Sequence, residues 1–291
     1  MIFSELFLFS LFPILVVLSY ANLSSLASLA WSMVFASAFF VGVVTYRKLW
    51  YEMLNPQLWK YSFYIALFVG VLFYGLFFVG LEYTTPGNAS IIILFQVFTT
   101  FLFFNIYRGE HISFDHKVGA ILMIAGALVI LGKGWSGINV GDLLILGGTF
   151  CTPIGNFFQK RAREIASSES VMLLRSLITL AFIFPILYIV GSAPTFGDIQ
   201  TSLVFLLING ILLLGLAKIL WIEGIHRMSV TKAIALASIA PFFTLFFSWL
   251  ILGQMPTQWQ LLSLAPFIIG VLLLTDQIRF HRTESSLRVN P

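Results

Sequence analysis

Charge is scarce in this chain: 10% of its 291 residues are Asp, Glu, Lys or Arg, whereas soluble domains carry roughly 25%. So few charges cannot clothe a water-facing surface, and a soluble globular fold is excluded. A single cysteine, Cys151, rules out an intramolecular disulfide. The opening residues, MIFSELFLFSLFPILVV, lack the basic stretch and small-residue cleavage site of a removed leader, so they are expected to stay as a first span. Acidic residues are missing from the middle of every apolar run; Glu5, Glu82, Glu223 and Asp276 all fall near the ends. No phosphate-cradling loop spacing occurs.

What is present is apolar and comes in blocks. Hydrophobic residues make up 59% of the chain, its mean hydropathy is +0.98, and many runs exceed the ~18 residues that mark a membrane-spanning helix. Apolar blocks and polar breaks such as EYTTPGN, GKGWSGINVGD and GSAPTFGD divide the chain into ten expected spans, near 3–20, 25–45, 59–81, 87–106, 116–132, 141–160, 169–191, 202–223, 231–252 and 258–277. The expected fold class is therefore all-α integral membrane. Basic residues then sort to one side. Arg47, Lys48, Lys60, Arg108, Lys117, Lys160, Arg161, Arg163, Arg227, Arg279, Arg282 and Arg288 fall after even-numbered spans, and Lys133 alone faces the other way. By the positive-inside rule both termini are cytoplasmic. The pI of about 9.2 thus reflects topology, and no nucleic-acid partner is expected.

The stretch LFQVFTTFLFFNIYRGE (94–110) is echoed by SIAPFFTLFFSWLILGQ (238–254), 144 positions further along. Phe98, Thr100, Phe103 and Gly109 recur as Phe242, Thr244, Phe247 and Gly253, and the same offset pairs Gly80 with Gly224, Ala89 with Ala233, Ile124 with Ile268, Gly126 with Gly270 and Leu128 with Leu272. The register maps spans three to five onto eight to ten, which predicts two five-helix halves, 1–133 and 139–278, with a short basic tail at 279–291. Because five is odd, the second half enters the membrane inverted, an architecture that recurs in alternating-access carriers.

These segments resemble the EamA-domain branch of the drug/metabolite transporter superfamily. The likeness rests on YTTPGNASIIILFQVFTTFLFFNIYRGEHIS and VGAILMIAGALVIL in the first half, and on GDLLILGGTFCTPIGNFFQKRA, MSVTKAIALASIAPFFTLFFSWLILGQMPT and IIGVLLL in the second. It implies a multi-pass carrier of the cytoplasmic (inner) membrane that moves a small polar metabolite, an amino acid or related compound, by export. An exchanger of larger anions, nucleotide-like or phosphorylated, is the alternative. The resemblance departs at Gln254, where members often carry Glu, and in the first span, which lacks the usual W-G or small polar motif.

Candidate site residues are polar groups inside expected spans. Lys218, in NGILLLGLAKILW, is deep enough that a cavity or partner is required. Lys232 begins span nine, where basic residues in the superfamily's phosphate-binding plastid branch contact anions; the competing reading is a lysine snorkelling to the interface. Arg175, about two turns into span seven, is also expected to snorkel, like its repeat mate Trp31 at the interface. Gln96 and Asn88 share a face of span four and offer both donor and acceptor, although Asn88 also suits a helix cap. Asn156, Tyr74 and Trp221 are lesser candidates. The cavity is expected between spans three, four, eight and nine. Without deep carboxylates, ion coupling is not expected and facilitated passage or exchange is. No cofactor or metal is expected, because HISFDH has no strong ligand spacing and no serine sits in a nucleophile motif; an embedded enzyme or a scaffold is remote. The expected partners are the solute and the bilayer, with the chain acting as a monomer or homodimer.

Overall fold

The computed structural model describes residues 2–108, 113–132 and 139–278, all helix and connecting turn with no strand among them. Gly109, Lys133 and the basic tail from 279 onward, all used in the sequence reading, lie outside the described residues, as does His111 of HISFDH.

Helix starts follow local chemistry. The chain opens with α1 (Ile2–Ser10) and α2 (Phe12–Leu18), then α3 (Ser25–Tyr46), capped by the Ser24 hydroxyl, which accepts from the Ala27 amide. Asn55 caps α4 (Pro56–Ile65), with Pro56 preset for the first turn. From α4 the chain widens into π-type turns over Ala66–Phe73 and narrows again into α5 (Tyr74–Tyr83). Thr85 caps α6 (Pro86–Ile93), followed by α7 (Gln96–Arg108) and α8 (Phe114–Gly132). The second part runs α9 (Val140–Thr149), α10 (Thr152–Arg163), α11 (Ser168–Ile189) and α12 (Phe196–Leu207). A second π-type stretch, Ile208–Leu216, then leads to α13 (Ala217–Arg227). Last come α14 (Val230–Ala237), α15 (Ala240–Leu252) and α16 (Gln258–Leu274). Thr257 and Gln260 form a reciprocal capping box at α16.

Four expected spans are each broken into two helices, at Leu11, Leu94–Phe95, Phe150–Cys151 and Ser238–Ile239. Three of these breaks have a cause in sequence. Pro13, Pro153 and Pro241 sit in the first turn of the helix that follows, and each removes a backbone donor the continuous helix would need. Gly253 ends α15 at φ +69°, a left-handed cap that costs a glycine no Cβ clash.

Among the described residues, eight segments are long and apolar enough to cross a membrane, from Ile2–Ala21 to Val230–Leu252. The interrupted α9–α10 segment is not among them, and α16, at 17 residues, is shorter. The chain is an integral, multi-pass membrane protein. Spans three and eight run longer than the sequence indicated, over Pro56–Tyr83 and Phe196–Arg227.

Small residues bring backbones together. α8 lies against α16, where a Cβ on Gly119 would stand 3.0 Å from the Gly270 carbonyl oxygen. Where α5 meets α9, a Cβ on Gly141 would meet the Gly80 carbonyl at 2.3 Å. α3 packs between α11 and the second π-type stretch. An aromatic cluster of Phe12, Phe73, Tyr74, Phe77 and Phe78 fills the middle.

Candidate functional site

The broken helices place their ends around one small cavity. Tyr74 is the first residue after the first π-type stretch, Lys218 the second after the other, Gln96 opens α7, Thr152 opens α10, and Ala237 closes α14. All five line a small cavity of about 60 Å³, with Glu5, Phe9, Asn156, Gln159, Arg175 and Trp221. Non-helical backbone at membrane depth is tolerated where it lines a cavity or is buried in protein, since lipid offers no hydrogen bonds.

Six of the eight sequence-derived candidates converge here: Lys218, Gln96, Asn156, Tyr74, Trp221 and Arg175. The Lys218 ammonium donates to Glu5 Oε1 at 2.9 Å and stands 3.5 Å from the centre of the Phe9 ring. Trp221, one turn further along α13, adds a second ring at 5.9 Å and donates its indole N–H to Asn156 Oδ1 at 3.2 Å. Gln159 donates to the same oxygen at 3.4 Å. The Lys218–Glu5 pair is 7% and 2% exposed; removed from water, it is held by its own Coulomb attraction and by aromatic faces that attract the cation.

Arg175 departs from expectation. Rather than snorkelling, it is 1% exposed, with its guanidinium carbon 5.5 Å from the Tyr74 ring centre. The reason is packing. α11 lies against α3, α4 and the first π-type stretch, so the face carrying Arg175 is turned inward with no route to the interface. Its Nε and Nη2 have no hydrogen-bond partner among the described residues.

Two candidates lie elsewhere. Lys232 is exposed at the start of α14, where its backbone N–H is capped by Ser229; one turn from the helix end, its side chain reaches solvent. Asn88 is buried, but at the opposite end, accepting from Gln260 Nε2 at 2.8 Å and donating to Thr84 Oγ1 at 3.3 Å. It joins α6 to α16. The cavity is also built from more of the chain than expected, since α1, α10 and α11 contribute as well as spans three, four, eight and nine.

Glu5, Thr152 and Gln159 were missed by the sequence reading. Glu5 looked like a residue near a span end, yet it is buried, so the stated ground for excluding ion coupling falls. One signal was available: Glu5 and Phe9 are four apart and share a helix face, and Glu5 is the lone carboxylate in its apolar run, as Lys218 is the lone cation in its own. Glu223, five residues beyond Lys218, accepts from Arg163 Nε at 2.6 Å and from the Ser168 hydroxyl at 2.6 Å. With the Arg47–Glu169 pair and the Ser167–Glu52 hydrogen bonds, it ties α3, α10, α11 and α13 together at one end of the bundle.

The sequence matches the EamA-like transporter family over residues 1–132 and again over 139–276. An uncharacterized transporter of Bacillus subtilis, YvbV, is 27% identical over 79% of this chain and 73% of its own length. A second from that organism, YyaM, is 23% identical over 76% and 75%, and an uncharacterized transporter of Archaeoglobus fulgidus is 27% identical over 74% and 67%. A solved crystal structure covers 95% of both chains with a TM-score of 0.71 at 18% identity, a likeness of fold alone. With family matches over both halves, apolar helices throughout and broken helices around a buried polar cavity, this chain belongs to the EamA-like transporter family.

Proposed function

We propose that this chain is a secondary transporter that moves a small polar metabolite across the cytoplasmic membrane by alternating access. It crosses ten times, in two inverted halves (1–133 and 139–278), with both termini inside. The chain performs no catalysis in this reading; it acts on the solute as a monomer or homodimer within the bilayer. The observation that carries the proposal is the cavity itself, where three buried charged side chains from α1, α11 and α13 meet at helix breaks contributed by both halves. Charged groups at such depth mark substrate and ion pathways.

The placement of irregular backbone supports the repeat. The α6–α7 break at Leu94–Phe95 and the α14–α15 break at Ser238–Ile239 lie 144 residues apart, the offset of the repeated sequence. The two π-type stretches, Ala66–Phe73 and Ile208–Leu216, fall within two residues of that offset. Contacts repeat as well: α3 packs on α11 and α8 on α16, each element meeting its own repeat mate, and the α6–α15 contact has its repeat counterpart in α7–α14. Two inverted halves that exchange conformations make opening to one side the counterpart of opening to the other.

Size favours a small solute. A cavity of about 60 Å³ is far below the ~300–1,000 Å³ of a drug-sized site, so a compact metabolite fits better than a nucleotide-like one. The test is flux in liposomes reconstituted with the purified protein, loaded in turn with amino acids, small organic acids and sugar phosphates and assayed in both directions. Saturable, protein-dependent movement of a small polar solute is expected. Ligand binding in detergent without flux of any bound ligand would sink the transport reading.

A further inference from the structure

The three buried charges of the cavity do not cancel. Glu5 and Lys218 neutralise each other at 2.9 Å. Arg175 is left as one uncompensated positive charge, with no ion-pair partner among the described residues. An arginine held in the interior without a counter-charge is costly, and the cost persists unless an anion relieves it. Its two unpartnered atoms are Nε and Nη2, which lie on the same edge of the guanidinium. Their N–H bonds run side by side, matching the two oxygens of a planar carboxylate. Tyr74 stands beside the group, its ring centre 5.5 Å from the guanidinium carbon, and attracts the cation.

We propose that Arg175 is the substrate's anchor: its Nε–H and Nη2–H grip a carboxylate side-on, which makes the solute a small monocarboxylate or the carboxylate end of an amino acid. The assignment rests on the transporter reading in taking this cavity as the substrate's place. One charge from Arg175 matches one carboxylate, and the small volume excludes a bulky tail. Lys218 does not compete for the anion while its ammonium is committed to Glu5 and the Phe9 face. Phosphate offers a similar pair of oxygens but brings a third and up to a second negative charge, for which the cavity has no free cation among the described residues.

Matched probes separate these possibilities. The purified full-length protein is titrated with alanine against alaninamide and with propionate against propionamide, each pair differing at the carboxylate, and with inorganic phosphate; affinities are read from ligand-dependent thermal shifts. Wild type should bind the acids and not the amides. Arg175→Lys keeps the charge but loses the fork, and should weaken acid binding by about 10- to 100-fold, the loss of a charge-assisted hydrogen bond. Arg175→Gln should abolish it. Equal binding of acid and amide, binding of phosphate alone, or undiminished acid affinity in a folded Arg175→Lys would each overturn the proposal. Should neither variant fold, the wild-type pairs still decide it. Flux on the wild type keeps the two readings apart. Transport of small solutes regardless of the carboxylate would leave the transporter and remove the anchor; carboxylate binding without flux would do the reverse.

Discussion

Breaking the Lys218–Glu5 pair from either side should not cost the same. In Lys218→Met the Glu5 carboxylate, 2% exposed, loses the only cation within salt-bridge reach among the described residues. Stranding a buried charge in this way costs about 3–5 kcal/mol. In Glu5→Leu the stranded ammonium still lies 3.5 Å from the Phe9 ring and 5.9 Å from Trp221. A desolvated cation–π contact contributes about 2 kcal/mol, so that variant should lose only about 1–3 kcal/mol. The double substitution Glu5→Leu/Lys218→Met replaces the pair with apolar side chains of similar bulk and should recover most of the loss, ending within about 1 kcal/mol of wild type. The assay is thermal unfolding of all four proteins in one detergent, where each kcal/mol moves the midpoint by about 2–4 °C in chains of roughly this size. Lys218→Met should melt lowest, and the double variant above both singles. A double variant that loses the sum of the two singles would mean the groups act independently and would refute the pairing. Equal losses in the singles would refute the role given to Phe9 and Trp221.

Three further outcomes follow from other parts of the molecule. Gly210→Ala would place a Cβ 2.5 Å from the Ser32 carbonyl oxygen and 3.0 Å from the Ala36 amide; backbone cannot yield as a side chain can, so a loss of about 1–3 kcal/mol is expected, read as a lower melting midpoint. Lys232→Ala should leave binding of any cavity ligand within twofold of wild type, because the side chain is exposed and outside the cavity, and a tenfold change in titration would contradict that placement. On a Cys151→Ser background, a cysteine at Ser192, in the turn after α11, should react with an impermeant maleimide from outside intact cells. A cysteine at Met53, near Arg47, should react only after permeabilisation, and the opposite pattern would reverse the proposed orientation.

Much of the architecture was legible because lipid simplifies the code: an apolar block must be helix, and each break between blocks must be a turn. The breaks inside spans were not legible: Leu94–Phe95 and Ser238–Ile239 interrupt spans expected to be continuous, although they stand 144 residues apart, the offset of the repeated sequence. The site was legible only in part. Six polar residues within spans were recognisable by the cost of burying them, but depth along a helix does not say which way a side chain faces. Arg175 and Lys232 both lie within two turns of a span end. Arg175 is locked inward by α3 and α4, whereas Lys232 stays wet. That difference comes from neighbours more than a hundred residues away. Glu5 and Lys218 are 213 residues apart, and no local pattern joins them.

The two π-type stretches have a mechanical consequence. Each holds the surplus of a wider turn, i→i+5 in place of i→i+4, the first ending next to Tyr74 and the second two residues before Lys218. A surplus residue in a helix behaves like a dislocation in a crystal: it can glide along the rod by exchanging one hydrogen bond at a time, without melting the rod. When it passes a side chain, that residue advances by about 1.5 Å and turns by roughly 100°, the pitch of one residue. Tyr74 would swing away from the Arg175 guanidinium and Lys218 from Glu5, while the ends of both spans stayed anchored at their caps. Such a shift would rewire the cavity from within its own walls.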